Sequence, residues 1–81
     1  MPRLSSKVDK DRKLVKLGIA IRDRRREVGF TQEELAGVAG VERSNMGKIE
    51  RGENNLSVLN LARIAEALDC KAGDILFAAE I

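Results

Sequence analysis

The sequence predicts an all-α fold of five short helices, and three observations support this. Ala, Leu, Glu, Arg and Lys dominate the composition, all of them good helix formers, against two Phe and no Trp or Tyr. Apolar residues recur at the three-, four- and seven-residue intervals that one helix face requires. Glycines and capping residues interrupt these stretches at short intervals, which suits a bundle with short connections. At 81 residues the chain is the size of a single domain. It divides into a flexible arm, residues 1–10, and a folded unit, residues 11–81.

The arm, MPRLSSKVDK, carries Pro2, serines and scattered charge. The first helix starts near Asp11, with Leu14, Leu17, Ile21 and Val28 on one face. Asp9 or Asp11 is available to cap its start, and Gly29 ends it. In TQEELAGVAG, Thr31 is an N-cap and Glu34 completes a capping box. This second helix is short and stops at Gly40. VERSNMGKIERG gives the third, closed by Gly52, and ENNL is a turn. Ser57 caps a fourth helix, VLNLARIAEALD, whose apolar face is read as Leu59, Ala62, Ile64, Ala65 and Leu68. A final short helix begins at about Ala72.

Composition also narrows the function. Histidine is absent and Cys70 is the sole cysteine, so the usual zinc and haem ligand sets are missing, as is the commonest general acid–base residue. No phosphate-cradling glycine-rich loop and no paired-carboxylate site stands out, so neither an enzyme nor a metal or other cofactor is expected. There is no long apolar run and no apolar leader segment, so no membrane span is expected and the cytoplasm is the default setting. Net charge is +2 but unevenly placed: residues 1–30 sum to +6 and residues 31–81 to −4. Such asymmetry suits an anionic partner for the first part, or simply a solvated helix face.

The second and third helices meet the needs of two short helices crossing steeply through a tight turn. Ala36 and Ala39 keep the contact small, Gly40 makes the turn, Val41 fills the corner, and Met46 and Ile49 anchor the outer helix. The window from Gln32 to Arg51 resembles the helix-turn-helix of lambda-repressor-like DNA-binding proteins, the Cro and phage-repressor (Xre) group. The resemblance extends from about Leu17 to Phe77, with TQEELA, KIERGE and LARIAEAL in order. It implies a five-helix lambda-repressor-like domain that inserts the second helix of the motif into the major groove of double-stranded DNA.

Residue by residue, the resemblance makes Arg43, Ser44 and Lys48 base-contacting, with Arg43 suited to a bidentate contact with guanine. Gln32, Asn45, Arg51, Asn54 and Asn55 match backbone-contacting positions. Glu53 opposes that role and must point away. Arg25 and Glu50 match a structural ion pair. Arg24 stands where many members have leucine, and is read as facing solvent or the DNA backbone. Gly47, a glycine in mid-helix, either lets the helix sit deep in the groove or relieves crowding within the protein.

By analogy a twofold-symmetric operator implies a homodimer. The apolar C-terminal stretch supplies a candidate interface in Leu76, Phe77 and Ile81, although one of Leu76 and Phe77 is needed for the core. Arg3, Lys7 and Lys10 can support the dimer or act as a basic arm on DNA. Standalone family members of this size include controller proteins, phage and plasmid repressors, and antitoxins. Length favours a controller or repressor, a transcription regulator with no room for a second module. The alternative is an antitoxin-type module that mainly holds a protein partner.

Overall fold

The computed structural model describes residues 12–81. The expected flexible arm, with Arg3, Lys7 and Lys10, and the expected caps Asp9 and Asp11 all lie outside the described residues. Five α-helices follow in order: α1 (Lys13–Val28), α2 (Gln32–Ala39), α3 (Arg43–Arg51), α4 (Val58–Ala67) and α5 (Ala72–Ala78). Among the described residues there is no strand.

Local chemistry sets most of the boundaries. The Thr31 hydroxyl accepts from the Glu34 amide at 3.0 Å, and the Glu34 carboxylate accepts from the Thr31 amide at 2.8 Å. This reciprocal pair satisfies two donors that the start of α2 would otherwise leave open. The Ser57 hydroxyl accepts from the Asn60 amide at 3.0 Å and starts α4. Asp74 accepts from the Lys71 amide at 2.9 Å and starts α5. Helices α1, α2 and α3 each end on a glycine with positive φ, at Gly29, Gly40 and Gly52.

The core is built from Leu17 and Ile21 of α1, Leu35, Ala36 and Ala39 of α2, Val41 in the turn, Met46 and Ile49 of α3, Leu61, Ile64, Ala65 and Leu68 of α4, and Ile75 and Ala79 at the C-terminal end. Burying each of the larger side chains contributes about 1.5–3 kcal/mol. Phe30, Leu56 and Leu76 pack against its margin.

Three sequence expectations are corrected. Leu59 and Ala62 are exposed, and Leu61 takes the buried place on α4. Leu61, Ile64, Ala65 and Leu68 follow the three-, four- and seven-residue spacing of one face, and Leu59, two residues before Leu61, falls on the opposite side. Val28 is exposed because it is the last residue of α1, where the chain already turns at Gly29. Arg24 does not simply face solvent. It is half-buried, and its Nη2 donates to the Asp69 carbonyl at 3.5 Å, just past the end of α4, where a cation suits the carbonyl-rich helix terminus.

Helices α1 and α3 approach almost backbone to backbone. A Cβ placed on Gly18 would lie 2.4 Å from the Glu50 carbonyl oxygen and 2.6 Å from that of Ile49. A Cβ on Gly52 would lie 2.6 Å from the Val15 Cα, and Gly52 also holds φ of +73°. Two glycines, one on each partner, therefore permit this approach. A glycine inside a helical pattern is the sequence signal for such a contact, and Gly18 went unread.

Candidate nucleic-acid interface

Helix α3 has one side locked to the core and the other open. Met46 is fully buried and Ile49 nearly so, while Arg43, Ser44 and Lys48 are exposed. Val41 is fixed in the corner by its amide, which donates to the Ala36 carbonyl at 2.9 Å. The α2–turn–α3 unit thus presents a short helix outward on a scaffold of small aliphatic side chains.

The buried side of α3 also carries a charge. Glu50 is 5% exposed. Its Oε2 accepts from Arg25 Nε at 2.8 Å, and its Oε1 accepts from Arg25 Nη2 at 3.1 Å. Gln32 Nε2 donates to the same Oε1 at 3.1 Å. Arg25 Nη1 donates to the Phe30 carbonyl at 3.0 Å. One carboxylate therefore ties α1, α2 and α3 together, and the planar guanidinium suits that two-oxygen contact. Gln32 is half-buried at the start of α2, with its amide turned to Glu50.

Gln32 and Arg51 converge over Gly47. A Cβ on Gly47 would meet Arg51 Nη1 at 3.2 Å and Gln32 Oε1 at 3.3 Å. The crowding considered for this glycine is therefore present, and it comes from the ends of two flexible side chains.

Carboxylates partner Arg43, Ser44 and Arg51 around the open face. Arg43 Nη1 donates to Glu33 Oε2, and the Ser44 hydroxyl donates to Glu42 Oε1. Arg51 donates to both oxygens of Glu53, at 3.0 and 3.2 Å. Hydrogen bonding to Arg51 lowers the Glu53 pKa, and bonding to Glu53 raises that of Arg51. Asn54 donates its side-chain amide to Asn45 Oδ1, fastening the turn after α3 to the helix, while Asn55 is exposed. Of these partners, Glu42 was read from the sequence as a base acceptor or a charge favouring the start of α3, and Glu33 was not singled out. Nothing local marks Glu33, which lies ten residues from Arg43 on another helix.

The rest of the molecule offers little reactive chemistry. Burial pushes the Cys70 thiol above its ordinary value, so it stays protonated at neutral pH. Among the described residues no three His, Cys, Asp or Glu side chains converge as a metal site, and no helix is long and apolar enough to cross a membrane.

At the C-terminal end Phe77 is 84% exposed and Ile81 is also exposed, while Leu76 is half-buried against the core. Beside them, a groove of about 400 Å³ runs between α1 and α5, floored by Ile19, Ala20, Ile75 and Ala78.

Known proteins share this fold. Residues 21–75 match the helix-turn-helix family. The restriction-modification controller protein C.AhdI from Aeromonas hydrophila is 40% identical, with a TM-score of 0.75 over 76% of this chain and 94% of that one. The clp gene regulator ClgR from Corynebacterium glutamicum is 32% identical, with a TM-score of 0.81 over 84% of this chain and 72% of that one. The competence pilus inhibition repressor of Acinetobacter baylyi is 33% identical over 64 residues, 79% of this chain, and the match spans only 58% of that repressor's length. On this sequence match, and on a fold whose α2 and α3 form the characteristic pair, the chain belongs to the lambda-repressor-like helix-turn-helix family of DNA-binding transcription regulators.

Proposed function

We propose that this chain is a sequence-specific regulator that sets α3 into the major groove of a twofold-symmetric operator as a homodimer. The observation that carries the reading is the two-sidedness of α3. Met46, Ile49 and Glu50 fix the helix, while Arg43, Ser44 and Lys48 project from its exposed side. A recognition helix needs this combination, because base contacts discriminate only when the side chains arrive in a fixed register. Arg43 reads guanine through its fork, and Ser44 and Lys48 contact neighbouring base edges or phosphate. Gln32, Asn45, Arg51, Asn54 and Asn55 serve the backbone on either side. Arg51 engages phosphate by exchanging Glu53 for it.

The dimer forms through Phe77 and Ile81, with Leu76 beneath them. Phe77 is a large aromatic residue in a very open position on a small domain, which favours an interface. The similarity to a restriction-modification controller protein and to a repressor supports a regulatory role.

Selection of bound sites from random duplex DNA tests the whole reading. It should return a palindromic site whose half-site spacing reports the dimer. Arg43→Ala should then lose roughly 1–3 kcal/mol of specific binding and relax preference at one base pair. An Arg43→Ala protein that binds the selected duplex as tightly as the parent would overturn the orientation.

A further inference from the structure

We propose that Glu33, on α2, is a specificity-determining residue that acts through Arg43. The proposal rests on the reading of α3 as the base-reading helix. Arg43 Nη1 donates to Glu33 Oε2, a contact between two elements across the outer face of the motif. Both side chains are open to solvent, 71% for Arg43 and 68% for Glu33. Burial therefore does not dictate the pairing.

Two consequences follow from the chemistry. A guanidinium has five N–H donors, and Glu33 engages Nη1 alone, so the rest of the fork stays free for the two acceptors of a guanine. Arg43 can thus hold Glu33 and a base together, and Glu33 restrains a side chain that is otherwise rich in rotamers. Glu33 also places a negative charge beside Gln32, at the end of α2 proposed to meet phosphate. That charge repels any duplex, whatever its sequence. That repulsion is shared by every duplex, and only a site that offers Arg43 its correct base gains from the restrained fork. Glu33 thereby weakens non-specific binding more than specific binding, and the difference between the two is what specificity means. Glu33 is a positioning residue here, and Arg43 makes the contact.

The test uses the full chain with two probes, the duplex recovered by selection and a scrambled duplex of equal length, at one fixed salt concentration. Glu33→Gln keeps the size and the acceptor oxygen and removes the charge. It should tighten binding to the scrambled duplex and lower the ratio of specific to non-specific affinity by roughly two- to fivefold, the scale an exposed ion pair allows. Glu33→Asp, which restores the charge, should recover most of the ratio. In an Arg43→Ala background, Glu33→Gln should leave the base preference unchanged, because the residue it positions is gone. An unaltered ratio in Glu33→Gln, or additive effects of the two substitutions on base preference, would overturn the proposal. An Arg43→Ala protein that still prefers the selected duplex like the parent would instead sink the underlying reading of α3. Unchanged melting temperatures across the variants show that the readout is recognition and not folding.

Discussion

Glu50 accepts three hydrogen bonds, two from Arg25 and one from Gln32, and its side chain is 3% exposed against 11% for that of Arg25. Removing one member of a buried pair leaves the other without compensation. Glu50→Ala should therefore destabilise the fold by about 3–5 kcal/mol, measured by thermal or denaturant unfolding. Its base preference in a selection experiment should change little, because Glu50 faces away from the open side of α3. Gly18 works by a different principle. A methyl group there meets the backbone carbonyls of Ile49 and Glu50, which cannot rotate aside as a side chain can. Gly18→Ala should cost about 1–3 kcal/mol or more through overpacking, although alanine is the better helix former. A Gly18→Ala protein as stable as the parent would show that α1 and α3 are free to separate. By contrast, Gly47 faces only the tips of Arg51 and Gln32, so alanine there should be tolerated far better.

Helix α2 is held at its start by the reciprocal Thr31–Glu34 bonds, and hydrogen bonding from Thr31, chiefly its backbone amide, lowers the Glu34 pKa from its ordinary value of 4.5. A carboxylate depressed in the folded state adds stability that is present above the unfolded value and is lost as pH falls through the folded one. Unfolding followed below about pH 4.5 should therefore show a shallower loss of stability for Glu34→Gln than for the parent, with the two curves parallel at neutral pH. This helix was legible in the sequence because its signals are local: a threonine, a glutamate three residues on, and a glycine at the end. The α2–α3 turn was legible for the same reason, through Ala36, Ala39, Gly40 and Val41. The phase of α4 was less so. LNLARIAEAL carries apolar residues on more than one face, and only packing against α2 and α5 selects Leu61 over Leu59. At the open face, Arg43, Ser44 and Lys48 were legible only through the family resemblance, and all three are exposed. The partner of Arg43 was not, since Glu33 lies ten residues away on another helix and reaches it only after the chain has folded.

Two surfaces of the described part of the molecule carry the proposed function. One is the open side of α3, and the other is the exposed pair Phe77 and Ile81, next in the chain to the groove between α1 and α5. Phe77→Asp should leave the monomer folded, since the ring is 84% exposed, and should abolish the proposed pairing. Sedimentation should then report a single chain, and affinity for a palindromic site should fall far more than affinity for an isolated half-site. A Phe77→Asp protein that still sediments as a pair would move the interface elsewhere. Helix α1 packs against both α3 and α5. Because Gly18 and Gly52 let main chain rest on main chain, no side chain cushions the α1–α3 seam at those two points. That seam is a hard stop: in the proposed pair of chains joined at α5, it would turn the α1 helices into struts of set length and the two α3 helices into the jaws of a fixed-gap caliper. Such a caliper tolerates a wrong letter better than a wrong distance, so the protein should judge an operator first by the interval between its halves.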